Sequence, residues 1–469
     1  MSQEVLTTSE KALQVNLDNA KYGTFAEIGA GQETARWFFR VGGAAGTIAK
    51  SMSAYDMKFS DEIYGVSERY VSRKRLHKML DHEYELIMQR LSGERGETSQ
   101  FFAFADTVSA RNFRGTNECH GWVGIRYQLG PMQDSNDIII HVRMLDDTNL
   151  EQQEALGIVG VNLVHSAFYL HHEPESFVRS LCQNVSKGRI EVDMVKFSGP
   201  SFGHIDNRVL ALYLVKHGLT EATMFAPDGE VLQPAEMLYK RPILVERGRF
   251  RPVTKLNIEM LESAHFQFFQ EDGKTEQKEE LVEIMEITMN NLMTKGEGGL
   301  DLKDFIARVE ILGALGKSVV ISNYAEFHRL ASYLSRASKE KIGIVLGVPL
   351  LKEIFKEKYY EDLAGGILES FGRLFRNQVR LYVYPARNPK NEQIITAHNL
   401  EVEPHLQHLH RYLIENRFIE PIRSENPAMV NFSSSNVIKK INLGDASWQQ
   451  LVSPRVAKII KERGFFGLK

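Results

Sequence analysis

The chain reads as an α/β protein of two domains, with mostly parallel sheets flanked by helices and an antiparallel β-hairpin inserted in the first. Three observations predict it. At 469 residues the chain exceeds the size at which one hydrophobic core usually stops growing. Period-2 and period-3.6 apolar patterns alternate along most of it, the order expected of βαβ units. A hydrophobic fraction of 43% with 25% charged residues is that of an ordered globular chain.

The first domain is expected over residues 1–268. Residues 9–20 carry Leu13 and Val15 among polar neighbours and read as a helix; 24–28 read as a short strand. Gly29-Ala30-Gly31-Gln32 forms a turn before a helix over 33–55, loosened at Gly42, Gly43 and Gly46. In 67–91, Tyr70, Leu76, Leu80, Tyr84 and Ile87 fall near helical spacing and predict a long amphipathic helix. Strand-like runs follow at 101–108, 120–129 and 138–145, the last two joined through Gly130, Pro131 and an Asp/Ser/Asn cluster that punctuates a hairpin. A helix over 150–169 leads into strand 190–197, helix 206–217, strand 220–225, helix 234–239 and strand 242–246.

Residues 271–299 are charged and glycine-tipped, with an amphipathic helix expected over 276–296. The domain boundary is placed at 268/269. The second domain, 269–469, is expected to run helix 302–315, strand 318–322, helix 326–337, strand 341–346, helix 349–359 and strand 378–384, and to end in a helical tail.

The 57 basic and 60 acidic side chains leave a net charge of −3, so no global field draws in nucleic acid or an anionic bilayer. Neither is expected as a partner. Two cysteines, Cys119 and Cys182, exclude a disulfide framework and a zinc site built on thiolates, and fit a reducing compartment. The polar start MSQEVLTTSEKALQ has no apolar run behind a basic segment, and a cytoplasmic location is expected. The chain lacks a P-loop, a GxSxG elbow, a CxxC pair and a kinase signature.

Polar groups concentrate between Asp106 and Arg143. The linker RNFRGTNECH brings Arg111, Asn112, Arg114, Asn117, Glu118, Cys119 and His120 together. On the strand after it, alternation puts Trp122, Gly124, Arg126 and Gln128 on one face and Val123, Ile125 and Tyr127 on the other. His141 and Arg143 share a face of the next strand. Guanidinium forks suit phosphate or carboxylate, and imidazole moves protons near neutral pH. Arg114, Asn117, Arg126 and Arg143 are therefore candidate anion ligands, and Glu118, His120 and His141 candidate proton-transfer groups. The same residues also fit a solvated sheet face laced with ion pairs.

A second candidate is EIGAGQETARWFF, where a strand, a turn and a helix can aim backbone N–H groups at an anion. Gly29 and Gly31 are its candidate cofactor-binding positions, although the run lacks a full GxGxxG; no cofactor is named. The loop 196–208 offers Lys196, Ser198, His204 and Asn207 at the carboxyl edge of a strand, with Asp206 equally suited to cap the helix after it. Arg247, Arg249 and Arg251 alternate and read as a solvated edge strand. Ser322-Asn323-Tyr324 is a further sheet-edge position. His405, His408 and His410 lack a companion acid, and no metal site is expected.

The segment WQQLVSPRVAKIIKERGFFG (448–467) resembles the closing helix of bacterial nicotinate-nucleotide adenylyltransferases, where a comparable L-V-P-x-x-V pattern ends in glycine and an aromatic residue. The body of the chain is similar to a bacterial family of unassigned activity. The adenylyltransferase HxGH motif is absent: Ser201 stands where its first histidine belongs before Gly203-His204. Val452-Ser453-Pro454-Arg455 only echoes the family's second motif, and no catalytic residue carries over.

Two functions follow as expectations. The first is a cytosolic enzyme or enzyme-like protein, of transferase type, binding a phosphorylated or nucleotide-type small molecule. The second is a non-catalytic scaffold that self-associates through the helices at 67–91, 276–296 and the C-terminus.

Overall fold

The computed structural model describes residues 5–270, 281–293, 299–388, 391–423 and 434–468. Its contacts divide the chain into two compact units, Met1–Glu221 and Ala222–Lys469. The division falls at 221/222 rather than at 268/269 because residues 222–247 supply three strands to the second sheet.

Among the described residues of the first unit six strands form one sheet: β1 (Lys21–Ile28), β2 (Ile48–Met52), β3 (Gln100–Ser109), β4 (His120–Gln128), β5 (Ser135–Met144) and β6 (Ile190–Ser198). Their order is β2-β1-β3-β4-β5-β6. β1 pairs parallel with β2 and β3, and the remaining neighbours pair antiparallel. The β4–β5 hairpin therefore lies inside the sheet, with β3 and β6 on either side of it.

Among the described residues, seven helices accompany this sheet: α1 (Thr8–Asn16), α2 (Glu33–Val41), α3 (Met57–Tyr64), α4 (Arg73–Arg95), α5 (Asn149–Tyr169), α6 (Pro174–Ser180) and α7 (Asn207–Lys216). The helix expected over 33–55 stops at Val41, and β2 takes its second half. Gly42 and Gly43 sit at φ 82° and 78°, backbone angles that end a helix and that other residues rarely adopt.

Strand alternation decides the packing. Val123, Ile125 and Tyr127 of β4 and Ile138, Ile140 and Val142 of β5 bury against α1, α2, α5, α6 and α7. The opposite face meets α4; a Cβ on Gly124 would lie 3.1 Å from Leu76 and 3.2 Å from Leu80. A long amphipathic helix is present, but its apolar stripe is buried on the sheet.

The second unit adds β7 (Ala222–Phe225), β8 (Val231–Leu232), β9 (Ile243–Arg247), β10 (Val282–Thr288), β11 (Ser318–Ser322), β12 (Ile342–Gly347), β13 (Val379–Tyr384), β14 (Ala386–Arg387), β15 (Ile394–Ile395) and β16 (Ile419–Pro421). The main sheet runs β16-β13-β12-β9-β10-β11-β7-β8. From β16 to β11 every neighbour is parallel; β7 and β8 join antiparallel. In chain order the six parallel strands stand as 3-2-1-4-5-6, the doubly wound arrangement, with its reversal between β9 and β12.

Its helices are α8 (Pro234–Leu238), α9 (Lys255–Gln270), α10 (Leu302–Ala314), α11 (Phe327–Ala337), α12 (Val348–Ile354), α13 (Gly366–Leu374), α14 (Gln407–Glu415), α15 (Ser434–Asn442) and α16 (Pro454–Arg463). The helix expected over 276–296 is overturned where the chain is described: Val282–Thr288 is a strand in the middle of the sheet. Its burial on both faces requires a short apolar run, which a pattern count takes for one side of a helix. Residues 276–280 and 294–296 of that expectation lie outside the described residues. The resemblance at 448–467 falls on α16, opened by Ser453 as N-cap and Pro454, and closed by Gly464 at φ 61°. No helix among the described residues is long and apolar enough to cross a membrane.

Candidate functional site

Two constellations emerge, one on each sheet. In the first unit β4 and β5 pair His120 with Arg143 and Trp122 with His141, so the side chains the sequence grouped do share a face. A register shift in the β5–β6 ladder between His141 and Val142 turns Asp193 toward them. The Asp193 carboxylate lies 2.6 Å from Nδ1 of His141, and Nε2 of His141 lies 3.0 Å from Nδ1 of His120. His141 is 1% exposed and Asp193 6%, whereas His120 is half-buried. The Trp122 ring stands edge-on to His141, 4.9 Å between centroids.

Burial and the neighbouring His141 hold the His120 imidazole below the ordinary histidine value, so it is neutral near pH 7. With Asp193 fixing the proton on Nδ1 of His141, Nε2 of His141 accepts from His120. Nε2 of His120 is then the bare lone pair at the wet end of the chain.

The arginines do not join this chain. Arg126 forks onto Asp137, with Nε to Oδ1 at 2.7 Å and Nη2 to Oδ2 at 2.8 Å, and its Nη1 meets Asp81. Arg143 donates to Glu191 at 2.6 Å, and Glu191 also accepts from Thr220 at 2.6 Å. Expected to converge on one anion, the two guanidiniums are instead each held by a carboxylate of the same sheet. Arg114 and Glu118 are exposed on the linker. Asn117 pins that linker through Ser109 and the carbonyl of Ala110. Cys119 packs on the apolar face, away from the histidines.

The Gly29–Gly31 turn has the expected geometry, with both glycines at positive φ, but its anion seat is filled from within. Glu27 of β1 accepts from the backbone N–H groups of Thr34 and Ala35, both at 2.9 Å. These are the donors a bound phosphate would have used. Burial pushes the Glu27 carboxyl up to about 7. Its strand neighbour Asp106 is also driven up, by burial and by Glu27. The loop 196–208 is likewise structural in most of its contacts. Asn207 closes on the backbone of Phe197 at 2.8 and 3.0 Å, and Asp206 caps α7 while pairing with Arg208. Lys196 and Ser198 are half-buried and His204 is exposed.

In the second unit a cleft of about 410 Å³ opens at the carboxyl ends of β9, β10 and β11, beside the reversal of strand order. Arg247, Gly248, Arg249, Thr288, Asn290 and Ser322 are among its walls, with Leu350 of α12 opposite. Arg247 and Arg249 lie here, not on an edge strand, since β9 is flanked by β10 and β12; Arg251 lines a different cleft, with Asp301, Asp304 and Ala307. The three diverge. Arg247 pairs with Glu286 at 2.5 and 3.1 Å, donates to the carbonyl of Ala325 at 2.8 Å and covers the Phe327 ring. Arg251 pairs with Asp304 at 2.5 Å. Arg249 is exposed, and its guanidinium has no partner among the described residues.

No protein-family model and no curated protein matches the chain. Among solved structures it is similar to a competence/damage inducible protein from Agrobacterium tumefaciens, with 16% identity over 35% of this chain and 97% of that one, at a TM-score of 0.26. A competence-damaged superfamily protein from Enterobacter cloacae matches with 15% identity over 36% of this chain and 95% of that one, at 0.26. A competence or damage-inducible protein from Enterobacter asburiae matches with 14% identity over 34% and 98%, at 0.24.

The loop that carries Arg249 is held firmly. Its carbonyl accepts from Arg308 at 3.1 Å, and the N–H of Gly248 donates to Glu286 at 3.0 Å. Phe250 is buried at φ 44°, an angle a bulky side chain takes only when its surroundings impose it. Among the described residues, no group of three or more His, Cys, Asp or Glu is arranged to hold a metal ion.

Sequence reasoning missed Asp193, Glu191 and Asp137, the carboxylates that organise the first site. A signal existed: Glu191 and Asp193 alternate with Ile190, Val192 and Met194 at the start of a strand.

Proposed function

We propose that the protein is an enzyme-like binder of a phosphorylated or nucleotide-type small molecule, seated in the cleft of the second unit with its phosphate on Arg249. The observation that carries the reading is a guanidinium with no partner among the described residues, at the strand-order reversal of a doubly wound sheet, where such folds place ligands. The cleft volume falls in the range of small-molecule sites. The chain reaches α9 through Phe250-Arg251-Pro252 rather than through a glycine-rich turn, and the Asn257 carboxamide already accepts from the N–H of Thr254 at 3.0 Å. A single phosphate met by a side chain therefore fits better than a pyrophosphate laid on backbone amides. Transfer of a group from or to such a ligand is the reaction class proposed.

Calorimetric titration with inorganic phosphate, AMP and ATP tests this. Arg249→Ala is expected to weaken the phosphate-bearing ligand by about 10- to 100-fold, the worth of a charged hydrogen bond, while Arg114→Ala leaves it unchanged. Equal affinity in wild type and Arg249→Ala defeats the reading.

One observation favours self-association instead. Tyr55, Met57, Phe59 and Val66 are more than half exposed along one short stretch around α3, an apolar patch of the kind interfaces use. Light scattering that finds a closed oligomer, dissociated by Phe59→Asp, would support that second reading.

A further inference from the structure

The chain of Asp193, His141 and His120 has a direction. Its carboxylate end is sealed in the sheet, its middle imidazole is buried, and its outer imidazole is reachable from solvent. The charged or titratable groups facing His120 are His141, Glu118, Asp193 and Arg143. Cys119 points to the opposite face, so the reactive atom is the imidazole itself. Arg126 and Arg143 are engaged by carboxylates, which leaves an uncharged electrophile as the fitting partner rather than a phosphate.

We propose that Nε2 of His120 is a nucleophile toward activated acyl compounds, with His141 and Asp193 as positioning residues that take up the displaced proton. Nε2 attacks the carbonyl carbon; the new C–N bond forms as the bond from carbon to the leaving oxygen breaks, and the electron pair departs with that oxygen. The proton on Nδ1 of His120 passes to Nε2 of His141, whose positive charge then lies against the Asp193 carboxylate. Water attacks the acyl carbon and the C–N bond breaks; His141 returns its proton to Nδ1, the acyl group leaves as its acid, and the second water proton neutralises the oxyanion expelled in the first step. The site lies in the first unit and does not depend on the cleft in the second.

The probe is diethyl pyrocarbonate on the full chain, with modified histidines located by mass spectrometry. His120 is expected to be acylated at least about tenfold faster than exposed His204, with a rate that reaches half its maximum below the ordinary histidine pH of about 6.5. Asp193→Asn is expected to bring the His120 rate down toward that of His204, and a long-range proton–nitrogen spectrum to place the protons of both His120 and His141 on Nδ1. A His120 rate no greater than that of His204, an unchanged rate in Asp193→Asn, or a proton on Nε2 of His120 would each overturn the proposal. Should Asp193→Asn fail to fold, the wild-type comparison of His120 with His204 and the spectrum decide it.

Discussion

Two carboxyl edges in this molecule start from the same plan and end differently. In the first unit β1 leads through Gly29–Gly31 into α2; in the second β9 leads through Gly248–Arg251 toward α9. The first edge is closed by its own chain, since Glu27 occupies the helix N-terminus that an anion would use. The second keeps one arginine tied to Glu286 and leaves the next open to a cleft. A motif that looks like a ligand loop in sequence can thus be self-satisfied, while an arginine run that looks like solvated surface can line a site. What separates them is which charges the neighbouring strands bring into register.

The largest effect should come from breaking the tied pair. Glu286 is fully buried and the Arg247 side chain nearly so, so Arg247→Ala leaves an uncompensated buried charge. A loss of about 3–5 kcal/mol is expected in urea unfolding; a loss below about 1 kcal/mol would mean that water reaches Glu286.

Next comes a pH effect. Burial raises Glu246 of β9 to about 8 and Glu27 to about 7. A carboxyl whose folded pKa lies above its unfolded value binds its proton more tightly in the native state. Its contribution is therefore fully present below about pH 4.5 and is lost as pH rises through the folded value. Glu246→Gln stays neutral throughout, so it should gain on wild type between about pH 4.5 and 8, by a few kcal/mol, and hold that gain above. A difference that does not vary with pH would contradict the burial assigned to Glu246.

Glu27→Ala tests the closed edge. Removing the carboxylate orphans two backbone donors, at a cost of about 1–3 kcal/mol. Added acetate or phosphate should restore part of it by entering the vacated seat. No recovery with either anion would separate this edge from ligand-binding turns altogether. The smallest stability effect belongs to the open edge: Arg249→Ala should change unfolding by less than about 0.5 kcal/mol, because among the described residues the side chain holds nothing.

Much of the fold was legible because local patterns and burial agree here. Alternation in β4 and β5 assigned Val123, Ile125 and Tyr127 to the core face and Trp122 and Arg126 to the other, and the sheet keeps that division. Ser453, Pro454 and Gly464 bound α16 by ordinary capping chemistry. Strand β10 misled because a strand buried on both faces loses its period-2 signature. The division between units was misplaced because nothing local marks a strand as belonging to one sheet rather than another.

The sites were legible only in part. His120 and His141 stood out as residue types and do meet, but Asp193 reaches them through a ladder shift that no spacing encodes. Arg126 and Arg143 looked like anion ligands because their partners, Asp137 on β5 and Glu191 on β6, arrive from the neighbouring strands. Arg249 was passed over since strand order, which places it at a cleft, is a long-range property.

The central claim is that the open guanidinium in the second unit receives a phosphate. A crystal structure grown with saturating AMP examines this most directly. Density for the phosphate within about 3 Å of the Arg249 guanidinium is the predicted result; a cleft that stays empty, or a nucleotide bound on the histidine face of the first unit instead, would contradict it.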